Sequence, residues 1–252
     1  MVLTQRGEEL MYHFRQIIAQ VEELEQTCKG VQSRKRQFSI SVPRASYIAE
    51  ALVNFSKLIG DEPVTIYYKE TNPYRAIENI LEEDYGLGII RYAANYDKYF
   101  TKVLEEKNMV CKPVVQFHYK IITSSKSPLA KKDVIHFSDL YPFIEIAHAD
   151  PFVPSLPFSV VKKEELPDDF KRRIFVFERG TQFDLLNKNT ETFMWVSPMP
   201  KEILERHGLV QCECLDNTKM YKDMLIYDKN YKLSDLDMKF ITEIKKSIHE
   251  NF

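Results

Sequence analysis

At 252 residues the chain is long enough to bury one large core or two smaller ones, and 35 Lys plus Arg against 37 Asp plus Glu leave a formal net charge of -2, which supplies no global attraction to phosphate backbones. Four cysteines, Cys28, Cys111, Cys212 and Cys214, form no CxxC pair and are too sparse for a disulfide framework, so reduced thiols in a cytoplasmic protein are expected. Arg6, Glu8, Glu9 and Arg15 interrupt the first twenty residues and no later stretch of about 18 apolar residues exists, which argues against a signal segment or a membrane span.

In chain order, the first segment carries apolar residues at Leu10, Phe14, Ile17, Val21, Leu24 and Cys28, alternately four and three apart. A stripe repeating every 3.5 residues buries itself against another helix, and Glu8, Glu9, Glu22, Glu23 and Glu25 keep the other faces wet. Gly30 supplies a stop. A helix packed on its own domain usually shows a wider apolar face, so the narrow stripe favours a dimerisation stalk through Leu10, Phe14, Ile17, Val21 and Leu24. Arg34 to Arg36 reads as a short solvated linker.

From Phe38 the period becomes two: Phe38, Ile40 and Val42 form a strand, then Ile48, Leu52, Phe55 and Ile59 return to helical spacing before Gly60. Val64, Ile66 and Tyr68 make a second strand, and Asn72 with Pro73 opens a helix carrying Ile77, Ile80 and Leu81. Leu87 to Tyr92 is a third strand. Strands alternating with helices imply parallel βαβ units. After a helix carrying Tyr99, Phe100, Val103 and Leu104, Val114 to Thr123 reads as one long strand. Short apolar runs at Phe143 to Ala147, Ile174 to Phe177, Phe193 to Val196 and Leu209 to Cys214 are expected to build a second sheet. Pro151, Pro154 and Pro157 mark a surface loop. Met224 to Tyr227 is a last strand, and Ser234 caps a final helix with Phe240, Ile241, Ile244 and Ile248 on one face.

Catalytic patterns are absent. Seven glycines include one close pair, Gly86 and Gly88, which extends into neither GxGxxG nor GxxxxGKS/T. His118, His136 and His148 are dispersed, Cys212 and Cys214 share a strand face without histidine partners, and no HExxH or GxSxG occurs. No enzyme, cofactor or metal site is expected.

Several short motifs carry a family resemblance from Leu3 to about Ile248. Leu3-Thr4-Gln5-Arg6-Gly7-Glu8, the run Glu78 to Ile90 ending Asp84-Tyr85-Gly86-Leu87-Gly88-Ile89-Ile90, Ser127-Pro128-Leu129-Ala130, Phe137-Ser138-Asp139-Leu140, Gly208-Leu209-Val210 and Leu225-Ile226-Tyr227 resemble LysR-type transcriptional regulators. Ser127 stands where histidine is common, and Met194 to Pro200 lacks a glycine pair often found there.

The resemblance implies an effector-binding domain with its linker helix, lacking the N-terminal winged helix-turn-helix. The implied fold is α/β and periplasmic-binding-protein type II-like: two Rossmann-like subdomains joined by two crossing strands. Residues 1–30 would be the linker and dimerisation helix, 31–116 with 220–252 the first subdomain, and 117–219 the second. The crossings would lie near 117–123 and 217–222. The protein would be a homodimer or tetramer that binds a small-molecule effector in the interlobe cleft and reaches DNA only through the missing domain. A stand-alone binding protein, or an enzyme on the same fold, is the alternative.

In parallel α/β sheets ligands settle outside the carboxyl ends of strands, where helix N-termini offer unpaired N–H groups. That rule selects Arg44, Ala45 and Ser46 after the first strand, Glu70, Thr71 and Asn72 after the second, and Arg91, Tyr92 and Ala93 after the third. Facing candidates in the second subdomain are Ser124 and Ser125, Ala147 and His148, Glu178 to Thr181, and Ser197. Arg44 and Arg91 suggest an anionic, carboxylate-bearing ligand. Arg91 could instead pair with Glu70 or Asp84, Arg44 could be solvated, and Ser46 and Asn72 could be helix caps.

Overall fold

A computed structural model describes Gly7, Met11, Phe14, Ile17, Ile18, Val21, 36–148 and 170–252. Leu10, Leu24 and Cys28 of the expected stalk, the basic residues Arg34 and Lys35, and the loop at Pro151, Pro154 and Pro157 lie outside these residues. Along the chain run β1 (Arg36–Val42), α1 (Ser46–Ser56), β2 (Val64–Glu70), α2 (Pro73–Glu82), β3 (Leu87–Ala93), α3 (Asp97–Glu106) and β4 (Met109–His118). There follow β5 (Lys120–Ser124), α4 (Phe137–Leu140), β6 (Ile144–His148), β7 (Arg173–Val176), α5 (Arg179–Lys188), β8 (Thr192–Val196), α6 (Lys201–Arg206) and β9 (Leu209–Cys212). The chain ends with β10 (Met220–Asp228) and α7 (Asp235–Asn251).

The strands form two sheets, ordered β2-β1-β3-β10-β4 and β7-β6-β8-β5-β9. The alternation expected from Phe38 onward gives parallel β1/β2 and β1/β3 pairs. β6 likewise pairs in parallel with β7 and β8. α2 starts where Asn72 and Pro73 place it: the Asn72 side chain accepts from the Arg75 backbone N–H at 2.9 Å, and proline occupies the first turn. Ser234 and Asp237 close a reciprocal capping box at the start of α7.

The expected single strand from Val114 to Thr123 is two strands in different sheets. β4 begins earlier, at Met109, and the chain leaves its sheet at Tyr119 before β5 opens the second one. Each half buries apolar side chains in its own lobe, Phe117 in one and Ile121 and Ile122 in the other, so the apolar run is continuous although the sheet is not. A second, returning crossing runs from β9 to β10. The Asn217 amide donates to the Tyr119 carbonyl at 2.9 Å, tying the two crossings together, and the Tyr119 and Tyr221 rings meet at 4.1 Å.

Each face of the first sheet has its own core. On one side α1 and α7 pack around Phe38, Phe55 and Phe240, with ring centroids 4.8, 5.1 and 5.5 Å apart. Burying such side chains is worth about 1.5–3 kcal/mol each. On the other side α2 and α3 cover Ile90 and Ile226. There the sequence's close glycine pair finds a packing role: a Cβ on Gly88 would stand 2.9 Å from the Ile226 side chain and 3.0 Å from that of Ile80. The second sheet is covered on one face by α5 and α6 and on the other by α4 and Phe170.

One polar network crosses the interior of the first lobe. Arg91 on β3 donates through Nε and Nη2 to both carboxylate oxygens of Asp223 on β10, at 2.8 and 2.6 Å, and Tyr47 on α1 donates to the same carboxylate at 2.6 Å. Asp223 is wholly buried. Burial opposes the Arg91 charge, but Asp223 outweighs it and raises the guanidinium's pKa further. Burial, reinforced by Asp223, likewise holds the Tyr47 phenol well above its ordinary range. The register of β10 against β4 slips between Asp223 and Met224, opposite Pro113 on the edge strand. A bulge re-aims side chains locally, and an edge strand tolerates a proline that a central one would not. Asp223→Ala strands the buried Arg91 charge, so urea unfolding should lose about 3–5 kcal/mol; a loss below 1 kcal/mol would show the network to be dispensable.

Candidate functional site

The carboxyl ends of β1 and β3 in one lobe and of β6, β7 and β8 in the other converge on a narrow cleft with a cavity volume of about 50 Å³, well below the usual range for small-molecule sites. The first lobe contributes Arg44, Ala45, Ser46 and Arg91, and the crossing contributes Tyr119. The second contributes His148, Arg179, Gln182, the run Met194 to Ser197, and Met199. Guanidinium groups and a helix start thus face aromatic and thioether surface.

α1 starts at the cleft. Its N-cap is Ala45, which has no side chain to cap with, and its first turn carries no acidic residue. The helix therefore presents its partial positive end to the cleft without an acidic residue in its own first turn. An anion placed there would meet backbone N–H donors and arginine together.

Two arginines bind across the gap in opposite directions. Arg44 of the first lobe donates to the Phe177 carbonyl of the second at 3.2 Å. Arg179, the first residue of α5, reaches back to Ser46 Oγ at 2.5 Å, Glu70 Oε1 at 2.8 Å and the Ala45 carbonyl at 3.4 Å. Tyr68 donates weakly to the same Glu70 oxygen at 3.5 Å, and burial followed by the Glu70 charge drives the Tyr68 pKa far above normal. Arg179 and Glu70 retain about a fifth of their side-chain exposure. The bridge is therefore open to competition from solvent and ligand. Arg91 lies deeper, with its guanidinium 4.8 Å from the Phe117 ring centroid and 5.8 Å from that of Tyr119.

Of the positions chosen from sequence, Arg44, Ala45, Ser46, Arg91, His148, Arg179 and Ser197 lie together on this cleft. Glu70, Thr71, Asn72, Tyr92, Ala93, Ser124, Ser125, Ala147, Glu178, Gly180 and Thr181 are not among its lining residues. Asn72 is a helix cap. The Thr71 backbone N–H donates to the Val42 carbonyl at the sheet edge. Tyr92 turns into the first lobe, stacked on Phe100 and donating to Asp97. Ser124 is buried at the end of β5 and donates to the Asn187 carbonyl. Glu178 and Thr181 are exposed. Arg91 pairs with neither Glu70 nor Asp84: its carboxylate is Asp223, and Glu70 belongs to Arg179.

Sequence reasoning did not single out Gln182, Trp195 or Tyr119, and it reached Arg179 only within the stretch Glu178 to Thr181. Leu186 is the fully buried residue of α5, and counting back four and seven from it along the helical period reaches Gln182 and Arg179. The same count leaves Glu178 and Thr181 on the outer face. For Trp195 and Tyr119 the sequence gives no comparable signal.

No protein-family model matches the sequence, and no curated protein matches it. Among solved structures, the effector-binding domain of QuiR in complex with shikimate superposes over 83% of this chain and 95% of that one, with a TM-score of 0.54 at 15% identity. The regulatory domain of MetR, a LysR family regulator from N. meningitidis, covers 87% and 97% with a TM-score of 0.56 at 13% identity. A Corynebacterium glutamicum OxyR mutant covers 99% of this chain and 76% of its own, with a TM-score of 0.56 at 14% identity. Two mixed sheets joined by paired crossings, together with these superpositions, establish that the chain has the two-subdomain, periplasmic-binding-protein type II-like fold of LysR-family effector-binding domains.

Proposed function

We propose that this chain is the ligand-sensing part of a cytoplasmic LysR-type transcription regulator and not an enzyme. Residues 1–30 act as linker and dimerisation helix, 31–116 with 220–252 as the first subdomain, and 117–219 as the second. A small anionic metabolite, carrying a carboxylate, enters the interlobe cleft. The observation that carries this reading is the meeting of the uncapped start of α1 with Arg44 of one lobe and Arg179 of the other. An anion seated there exchanges with the direct bridges between lobes and alters their relative orientation. Differential affinity for two arrangements is all such a switch needs. The DNA-binding heads attached to the N-terminal helix respond. The shikimate bound by the similarly folded QuiR domain supports a small carboxylate as the class of effector.

The N-terminal helix provides the dimer contact. Phe14, Ile17 and Val21 are helical and 49%, 54% and 48% exposed, alongside Met11 and Ile18. That is a costly stripe to leave in water and one suited to a second copy.

The chain's single tryptophan, Trp195, lines the cleft and reports occupancy directly. Titration with succinate, malate, benzoate, 3-hydroxybenzoate and shikimate should change its emission and raise Tm for at least one of them. Arg44→Ala and Arg179→Ala should each weaken that binding about ten- to hundred-fold. Silence across the panel, or unchanged affinity in both variants, would remove the sensor reading.

Replacing Phe14, Ile17 and Val21 together with Glu should shift the protein toward monomer in sedimentation velocity. An oligomer unaffected by the substitutions would place the dimer contact elsewhere.

A further inference from the structure

A cavity of about 50 Å³ does not admit the metabolites that small-molecule sites of roughly 300–1,000 Å³ enclose, so an effector enters only when the lobes part. The bonds described across the gap converge on one side chain. Arg179 of the second lobe donates to Ser46 Oγ, Glu70 Oε1 and the Ala45 carbonyl of the first, while Arg44 bonds the Phe177 carbonyl in the other direction. Arg179 is the first residue of α5, where the helix's partial positive end disfavours a cation, and the first turns of α5 and α1 both lack an acidic residue. The helix itself thus gives no reason for a guanidinium at that position. Glu70 gives one: from the end of β2 in the other lobe, its carboxylate takes Arg179 Nη1 at 2.8 Å while Nη2 bonds Ser46, the first residue of α1. Glu70 does not itself line the cavity. A carboxylate of the chain's own is therefore bound to the guanidinium that joins the two helix starts.

Resting on the sensor reading above, we infer that Glu70 is an autoinhibitory latch: it occupies Arg179 in place of an effector's carboxylate, holds the lobes together over the cleft, and releases the guanidinium when an effector's anion takes it. The pair is suited to release. The Arg179 and Glu70 side chains keep 18% and 20% of their exposure, so water reaches the bond, and an ion pair with such access adds little net stability. When the binding-competent arrangement is only fractionally populated, the apparent affinity falls by that fraction. Removing the latch carboxylate therefore raises effector affinity, whereas removing Arg179 lowers it. Opposite signs at the two ends of one ion pair separate a competitor from a ligand contact.

Opening is read first with no acid added. Ser197 lies on the cavity and is 2% exposed, so a thiol introduced by Ser197→Cys meets iodoacetamide, a neutral reagent, when the lobes part. Cys214, 6% exposed in a core of the second lobe, reports unfolding of that lobe in the same digest, with each site resolved by mass spectrometry. Adding Glu70→Gln, which keeps the side chain's size and an acceptor for Tyr68, should speed modification of the introduced thiol about five-fold or more and leave Cys214 unchanged. Equal rates with and without Glu70→Gln, or a rise shared by Cys214, overturns the inference and leaves the sensor reading intact. Calorimetry with succinate, malate, benzoate, 3-hydroxybenzoate and shikimate supplies the second arm. Any of these that binds the wild-type chain should bind Glu70→Gln about three- to ten-fold more tightly. Unchanged or weaker binding makes Glu70 a support for Arg179 and not its competitor, and also overturns the inference. Absence of binding by every acid to both proteins counts against the sensor reading, while the modification rates still decide the latch.

Discussion

The buried carboxylate of Asp223 is the constraint from which the site's geometry follows. A charge with no exposure persists in a protein interior only when paired and fully hydrogen-bonded, and here both oxygens are taken by Arg91 and one is shared with Tyr47. Those three residues come from β3, β10 and α1, so the network fixes the strand that returns from the second lobe against the helix whose start opens on the cleft. Phe117 and Tyr119, at the outgoing crossing, lie against the same guanidinium. One interaction thus sets the helix start, both crossings and one wall of the cavity.

Around that fixed frame the two lobes meet through softer contacts. Arg179 and Arg44 bridge the gap, and their partners include main-chain carbonyls, a serine hydroxyl and one partly exposed carboxylate. Ion pairs with access to solvent contribute little net free energy. The interlobe bridge is correspondingly easy to exchange for a ligand's own oxygens, whereas the Asp223 network is not. Rigidity inside the lobe and exchangeability between lobes is the combination a two-state sensor requires.

The fold was legible wherever local periodicity decided the outcome. β1, β2, β3, α1, α2 and α7 follow from alternation, helical spacing and the signals at Asn72, Pro73 and Ser234, because each element buries one face and caps itself with nearby residues. Periodicity alone missed the break at Tyr119, which the family resemblance placed within 117–123, and it missed the slip at Asp223, since both depend on strands that meet from distant parts of the chain. Cleft residues divide the same way. The strand-end rule located Arg44, Ala45, Ser46 and Arg91, whose positions follow from β1 and β3 alone. It overreached at Asn72 and Thr71, where β2 ends at the sheet's edge, and at Tyr92, whose ring turns into the core. In α5 it took the stretch Glu178 to Thr181, of which Arg179 lines the cavity, and stopped one residue short of Gln182. The partner of Arg91 lies 132 residues away in sequence, and no local pattern announces it.

The division of labour among the three arginines has an energetic consequence. Arg91 is already committed through two donors to a carboxylate it cannot leave without stranding a buried charge, so its field reaches the cavity largely neutralised. The partners of Arg44 include the Phe177 carbonyl, and those of Arg179 are a carbonyl, a hydroxyl and a carboxylate shared with Tyr68. Under the proposed function, an anion taking over those donors would also meet the start of α1, whose first turn carries no acidic residue. A helix start contributes about 0.3–1 kcal/mol to such an anion, near the low end of the roughly 1–3 kcal/mol by which ligands bias two-state proteins. A deeper trap would lock the lobes together and remove the reversibility that sensing needs.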